Sequence, residues 1–149
     1  GCDVTAFTST EAKAPEAKSM GAHHVVATQD DGALGKIAGS LDFILVTANA
    51  DLNWDAYVAA LAPKGRLHFV GVPPAPVGSH AFPMISGQKS IGGSPLGSPA
   101  TTADMLDFCA RHQIAPQCEQ FKMSEINDAF EHLKAGKARY RIVLEADFA

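Results

Sequence analysis

The sequence predicts an α/β fold, a doubly wound parallel sheet with helices on its faces. Short apolar runs alternate with stretches of helical periodicity along the 149 residues, which is typical of strand–helix–strand units. One run, Leu41–Val46, is apolar except for Asp42, as expected of a parallel strand covered on both faces. We therefore expect the strand order 3-2-1-4-5-6 that is usual for this class.

Six segments have the composition of β-strands. They are residues 4–7, 24–26, 41–46, 66–70, 90–94 and 140–144. Pro63 and Gly65 are expected to precede the fourth strand, and Gly71 with the Pro73-Pro74 pair to end it. The fifth runs into a loop rich in Gly, Ser and Pro, which predicts that it is the last strand of the main sheet.

Helices are predicted between these strands. They cover residues 11–20, 30–38, 54–61, a short stretch around 83–86, 100–112 and 124–134. Gly21, Gly39 and Gly136 stand where a glycine commonly ends a helix. Because Pro15 is tolerated only in a first turn, the regular part of the first helix is expected to begin late. Ser124 is expected to cap the last helix.

Composition and charge argue against several classes of function. The formal net charge is −4 without a basic stripe, so a nucleic-acid partner is not expected. No apolar run approaches the roughly 18 residues of a membrane span, and no signal peptide is recognisable. Three cysteines without a CxxC pair favour a reducing compartment, so the sequence predicts a cytoplasmic protein.

The chain opens on what we interpret as the second strand of a dinucleotide-binding βαβ unit. Residues 1–10 contain neither a first strand nor the Gly-rich turn that holds a cofactor's pyrophosphate. We therefore expect residues 1–149 to be a truncated, Rossmann-type dinucleotide-binding domain of a larger enzyme. The missing strand belongs in the middle of the sheet, so the gap is expected to close, to be filled by a neighbour or to leave the chain partly ordered.

The end of the first segment carries a candidate phosphate site. Thr8, Ser9 and Thr10 stand where a domain of this class reads the adenosine ribose, and Lys13 follows one helical turn later. Hydroxyl donors and an ammonium group attract a 2′-phosphate, whereas the carboxylate of an NAD-preferring site repels it. The pattern therefore favours NADP(H). The alternative is that the hydroxyls only cap a helix and that Lys13 is solvated.

Three further segments lie where ligands bind in open α/β sheets, at the carboxyl ends of strands. They are residues 46–49, residues 69–72 and the Gly/Ser loop at 92–98. Gly71 would let a ring approach the backbone closely, and the Gly/Ser loop offers N–H groups and hydroxyls to a carboxamide or a phosphate. Ordinary turns are the alternative for all three segments.

Metal and nucleophile chemistry is not expected in this chain. His23 and His24 would point to opposite faces of a strand and could not easily bind one ion. No hydroxyl or thiol stands out with a histidine partner. The acidic residues are interpreted as solvated or capping groups: Asp3, Asp42, Asp51, Asp55 and the remaining acids.

Taken together, these segments resemble the cofactor domain of medium-chain zinc-dependent alcohol dehydrogenases, in particular the NADP-dependent cinnamyl alcohol dehydrogenase-like group. The resemblance runs nearly end to end and in order. It is carried by residues 4–13, 20–26, 41–45, 61–67 and 69–72, and most specifically by Gly92-Gly93-Ser94-Pro95-Leu96-Gly97-Ser98 and by residues 105–110 and 137–143.

The resemblance implies roles for ten residues. The 2′-phosphate site of the family matches Ser9, Thr10 and Lys13, with Thr8 beside them. Thr47 matches a residue that contacts the cofactor across the sheet, and Gly71 and Val72 match a strand end on the nicotinamide side. The loop that faces the carboxamide matches Ser94, Pro95 and Leu96. The implied cofactor is NADP(H), and the implied substrate of the parent enzyme is an alcohol or aldehyde. The zinc ligands of the family lie in an N-terminal domain, so no catalytic residue and no metal ligand is assigned here.

The resemblance also implies an assembly. Residues 137–149 would return to the catalytic domain of the parent, and residues 90–94 would lie near the two-fold axis of a homodimer. The fragment alone is expected to be inactive. Two alternatives stay open: a self-associating interaction module, and a stand-alone nucleotide-binding α/β protein.

Overall fold

The computed structural model describes residues 1–30 and 32–148. Asp31, within the helix predicted over residues 30–38, and Ala149 lie outside the described residues. The chain forms two compact units, Gly1–Pro95 and Leu96–Ala149. The first unit contains nine of the ten candidate site residues, and Leu96 begins the second.

The strands of the first unit are all parallel. β1 (Thr5–Thr8) pairs with β2 (His24–Ala27), while β3 (Leu41–Val46), β4 (Leu61–Phe69) and β5 (Ser90–Gly93) form a three-stranded sheet in the order β3-β4-β5. This confirms the predicted parallel α/β fold. Among the described residues, no strand pairs with the second edge of β1 or of β3.

Four helices connect these strands: α1 (Ala14–Ser19), α2 (Ala33–Lys36), α3 (Trp54–Ala60) and α4 (Ala81–Gly87). A 3₁₀ turn at Glu11–Lys13 precedes α1, and Pro15 occupies its first turn, as the sequence predicts.

The core of the first unit lies between α3 and the β3-β4-β5 sheet. Its fully buried residues are Val58, Ala60, Leu61 and Leu67. Phe7 of β1 packs edge-to-face on Tyr57 of α3, with ring centroids 5.3 Å apart, so the two-stranded sheet shares this core.

The opposite face of β3 is open within the described part of the first unit. Ile44 and Val46 point into the core, whereas Phe43 and Leu45 are 54% and 53% exposed. The prediction that this run is covered on both faces is therefore wrong for these residues. Strand alternation sends successive side chains to opposite faces, and only one face packs against α3.

The strand β4 begins five residues earlier than predicted. Leu41 pairs with Leu61 and Phe43 pairs with Arg66, so residues 62–65 bulge out of the ladder. Lys64 adopts a left-handed conformation with φ of 65°. Gly65 is buried, and a Cβ there would lie 2.8 Å from the carbonyl oxygen of Ala62.

The second unit contains α5 (Pro99–Arg111), β6 (Cys118–Lys122), α6 (Ile126–Lys134) and β7 (Arg141–Glu145). The sequence analysis missed β6, which pairs in parallel with β7. No helix in the described ranges is long and apolar enough to cross a bilayer.

The predicted cap of the last helix is wrong. A 3₁₀ turn at Met123–Glu125 comes first, and Glu125 stands at the start of α6 without a capping side chain. The Ser124 hydroxyl donates instead to Asp147, whose second carboxylate oxygen accepts the Ser124 backbone N–H at 3.0 Å. These bonds hold the pKa of Asp147 below its usual value.

The bulge at Gly65 gives a test of the fold. In the 149-residue chain, Gly65→Ala should lower the free energy of unfolding by about 1–3 kcal/mol, because the new methyl group meets backbone atoms that cannot easily move. Gly78→Ala is the control, since a Cβ at Gly78 meets no atom within 4 Å. Urea unfolding measures both, and equal losses in the two variants would contradict the strained bulge.

Candidate functional site

The residues after β1 fold into a tight turn. The Thr8 hydroxyl donates to the carbonyl oxygen of Thr10 at 2.9 Å, and the Lys13 backbone N–H donates to the same oxygen at 3.2 Å. Thr28 holds the end of β1 from the neighbouring strand, with its backbone N–H and its hydroxyl both donating to the Thr8 carbonyl. Thr10 and Lys13 are thereby brought to one turn.

Three polar groups of this turn have no partner among the described residues. They are the hydroxyls of Ser9 and Thr10 and the ammonium group of Lys13. Thr10 precedes the 3₁₀ turn in an extended conformation, but its side chain makes no capping hydrogen bond. The Thr10 hydroxyl does not cap the helix, so this part of the alternative is not what the structure shows, whereas Lys13 is exposed, as the alternative expects. Thr8 differs, because its hydroxyl is used within the turn.

A second group of predicted residues meets at the carboxyl ends of β3 and β4. The Val46 carbonyl accepts the backbone N–H groups of Val70 and Gly71, both at 3.0 Å. A Cβ at Gly71 would lie 2.7 Å from the carbonyl carbon of Thr47, so the close approach that this glycine allows is to the Thr47 backbone. Thr47 is exposed, and Val72 is 79% exposed.

Ser94 follows β5 and is bonded to β4. Its backbone N–H donates to the Phe69 carbonyl at 3.1 Å, and its hydroxyl oxygen lies 2.9 Å from His68 Nε2. The sequence did not single out this hydroxyl and histidine as a pair. The pair lacks the orienting acid of a hydrolase triad, because His68 Nδ1 is buried without a partner in the described residues.

The last two candidates of the Gly/Ser loop are exposed. Pro95 ends the first unit, and Leu96 begins the second with 96% of its surface exposed. The structure thus brings Thr47, Gly71, Val72 and Ser94 to the carboxyl edge of one sheet, whereas Thr8, Ser9, Thr10 and Lys13 follow β1 of the other sheet.

Asp55 organises a polar cluster at the start of α4. One carboxylate oxygen accepts the Ser79 hydroxyl at 2.7 Å and the His80 backbone N–H at 2.9 Å, and the other lies 2.7 Å from His80 Nδ1. Because a carboxylate only accepts, His80 carries a proton on Nδ1. The Ser79 hydroxyl, followed by the His80 N–H, lowers the pKa of Asp55 to about 2. Asp55 therefore anchors the loop before α4, although its side chain stays 43% exposed.

Two neighbouring histidines, His23 just before β2 and His24 at its start, face one carboxylate. Asp3 lies 3.7 Å from His23 Nδ1 and 3.1 Å from His24 Nε2, so the expectation that they point to opposite faces is wrong. The Val4 N–H already donates to His23 Nδ1 at 3.0 Å. Within residues 1–30 and 32–148, no group of three or more His, Cys, Asp and Glu side chains is placed to hold a metal ion.

The amino-acid sequence matches a known protein family over most of its length. Residues 1–111 match the family described as zinc-binding dehydrogenases. The chain belongs to this family. It is similar to the aldehyde reductase AdhA of Synechocystis sp., with 48% identity over 97% of the chain and 43% of the relative. It is also 37% identical to the NADP-dependent alcohol dehydrogenase C 1 of Mycolicibacterium smegmatis, over 97% of the chain and 42% of that protein.

Solved structures of zinc-binding dehydrogenases share the Rossmann-type fold. A cinnamyl alcohol dehydrogenase of Sorghum bicolor superimposes with a TM-score of 0.87 at 32% identity, covering 95% of this chain and 40% of that one. The cinnamyl alcohol dehydrogenase of Helicobacter pylori complexed with NADP(H) gives 0.76 at 30% identity, with the same coverage. The chain spans less than half the length of the curated relatives described above.

Sequence reasoning missed three groups in this zinc-binding dehydrogenase chain. Asn49 lies in a segment that the sequence singled out, but its contact with Val72 does not show in the sequence. His68 and Asp55 were not candidates, although His68 contacts a predicted residue and Asp55 anchors the loop after β4. Neither residue stands out in the sequence, because β4 also contains Lys64 and Arg66 beside His68.

The Asp55 cluster predicts a pH dependence. A carboxyl whose pKa is lowered on folding stabilises the native state above its unfolded value of about 3.9. This contribution is lost as the pH falls from about 4 towards the folded value of about 2. Unfolding of the chain in urea at several pH values should show that Asp55→Asn destabilises at neutral pH and that this difference shrinks below pH 4.

Asp51→Asn is the matched control, because Asp51 is exposed and has no hydrogen-bond partner in the described residues. Its effect should be small across the same pH range. A loss in Asp55→Asn that stays constant from neutral pH to about 2.5 would contradict the prediction.

Proposed function

We propose that this chain is the NADP(H)-binding part of a zinc-dependent alcohol dehydrogenase or aldehyde reductase. The observation that carries the proposal is the turn after β1, with two unpartnered hydroxyls and a lysine at the position that reads the adenosine ribose. The parent enzyme transfers a hydride between the nicotinamide and an alcohol or aldehyde. Relatives named as NADP-dependent alcohol dehydrogenases support the same cofactor.

The adenosine end of the cofactor is assigned to the turn after β1. A 2′-phosphate carries negative charge and strong acceptor oxygens, which suit the hydroxyls of Ser9 and Thr10 and the ammonium group of Lys13. The Thr8 hydroxyl already donates to Thr10, so Thr8 acts by shaping the turn. Glu11 follows the hydroxyls rather than standing directly at the strand end, where an NAD-preferring site has its carboxylate.

The nicotinamide end is assigned to the carboxyl edge of the β3-β4-β5 sheet. Thr47, Gly71, Val72 and Ser94 emerge there together, and ligands of open α/β sheets bind at such edges. Pro95 continues the same loop on the proposed carboxamide side. The bound nicotinamide supplies the hydride chemistry, and these residues hold and orient it.

The remaining parts of the active site are proposed to come from outside this chain. The described residues offer no group able to hold zinc, so the catalytic ion is assigned to another part of the parent protein. The open edges of β1 and β3 and the exposed Phe43 and Leu45 support a role as one portion of a longer polypeptide. The chain alone is therefore proposed to be inactive.

Three free cysteines support a reducing compartment, the cytoplasm.

Lys13 gives the sharpest test of the cofactor. In the intact enzyme, Lys13→Ala should raise the KM for NADPH roughly ten- to hundredfold, because a charge-assisted bond to the 2′-phosphate is lost. The KM for NADH, which lacks that phosphate, should change by less than about twofold. Steady-state kinetics with both cofactors provide the measurement.

Lys18→Ala is the matched control, since Lys18 is exposed near the end of α1. It should leave both KM values unchanged. A wild-type enzyme that prefers NADH, or a Lys13→Ala variant that loses affinity for both cofactors equally, would overturn the NADP(H) assignment.

A homodimer through β5 is the second proposal. β5 pairs with β4 on one side only, and its other edge has no partner among the described residues. Exposed strand edges of this kind favour pairing with a second copy.

Light scattering should give twice the mass of one chain, and Ile91→Pro should reduce it to a monomer. A wild-type monomer at high concentration would contradict the dimer.

A further inference from the structure

The loop that follows β4 is held at its two ends by side-chain acceptors. At the start, Asn49 Oδ1 accepts the backbone N–H of Val72 at 3.0 Å. At the end, Asp55 accepts the Ser79 hydroxyl and the His80 N–H. Between them, residues 73–78 make no hydrogen bond to any other described residue. Pro73, Pro74 and Pro76 contribute to this, because a proline has no N–H to donate.

The Asn49 bond differs from the backbone contacts beside it. The Val46 carbonyl already binds the N–H groups of Val70 and Gly71, so the chain is in register with β3 as far as Gly71. At Val72 the ladder has ended, and the Asn49 side chain takes over as the acceptor. Among the described residues this is the one side-chain hydrogen bond between residues 47–53, the loop after β3, and residues 70–80, whereas Asp55 reaches the far end of that segment from α3.

This placement determines where Val72 stands relative to Thr47. Gly71 fits against the Thr47 backbone with no room for a Cβ, which fixes the distance between the two strand ends. It does not fix the direction in which the chain leaves Gly71. The Asn49 amide does so, because its bond orients the Val72 N–H and therefore the peptide between Gly71 and Val72.

We propose that Asn49 is a positioning residue for the nicotinamide end of the cofactor. The proposal rests on the proposed function, in which Thr47 and Val72 lie against the nicotinamide. Asn49 acts on the reaction through Val72 and makes no contact with the reacting atoms. Hydride transfer is sensitive to such placement, because a shift of about 1 Å in a bound reactant lowers the rate strongly.

The test uses three variants of the intact enzyme. Asn49→Ala removes the acceptor, and Asn49→Asp keeps an oxygen in its place. Asn53→Ala is the matched control: Asn53 Oδ1 also accepts a backbone N–H, that of Ala56 at 3.3 Å, but at the start of α3. If Asn49→Ala does not fold, Asn49→Ser replaces it.

Two measurements distinguish a positioning role of Asn49 from a role in the stability of the fold. Single-turnover hydride transfer should slow roughly ten- to hundredfold in Asn49→Ala, while the affinity for adenosine 2′,5′-bisphosphate, which reports only the adenosine end, stays within about twofold. Asn49→Asp should recover most of the rate. Amide hydrogen exchange should accelerate at Val72 in Asn49→Ala and stay unchanged there in Asn53→Ala.

The outcomes distinguish this proposal from the one on which it rests. A wild-type enzyme that neither binds NADPH nor transfers a hydride overturns both. An active wild type in which Asn49→Ala transfers hydride as fast as Asn53→Ala, or leaves exchange at Val72 unchanged, overturns the role of Asn49 and leaves the NADP(H) assignment standing.

Discussion

The packing of α3 on the β3-β4-β5 sheet is the interaction on which the rest of the first unit depends. Val58, Ala60, Leu61 and Leu67 lose all their exposure there, and burial of such side chains stabilises a fold by roughly 1.5–3 kcal/mol for each large one. The three strands run in parallel, so this packing brings their carboxyl ends to one edge. The residues proposed to face the nicotinamide emerge at this edge.

The sequence predicted the elements of this core well, and the reason is visible in its residues. The bounds of β3 agree with the apolar run Leu41–Val46, because a strand with one buried face and few polar residues stands out from its surroundings. β6 was missed because its sequence, Cys118–Lys122, includes charged residues. In the folded strand, half-buried side chains alternate with exposed ones. Pairing with β7 makes it a strand, and that pairing is not encoded locally.

The residue types of the candidate site were predictable from the sequence, whereas the hydrogen bonds between its residues were not. Thr8, Ser9, Thr10 and Lys13 are recognisable from residue type and from their place after a strand. The contacts of Asn49, His68 and Asp55 join residues that are 23 to 26 positions apart in the sequence. Only the folded arrangement of the strands, of α3 and of the loops brings such pairs together, and a single amino-acid sequence does not display that arrangement.

The loop of residues 73–78 after β4 has a consequence for how the sequence of this protein can vary. Its two ends are fixed by Asn49 and Asp55, and its three prolines restrict the backbone between them. The side chains of residues 74–78 take part in neither tether, so substitutions there remove none of these hydrogen bonds. Sequence changes in this loop are therefore expected to leave the bonds of Asn49 and Asp55, and with them the edge proposed to hold the nicotinamide, in place.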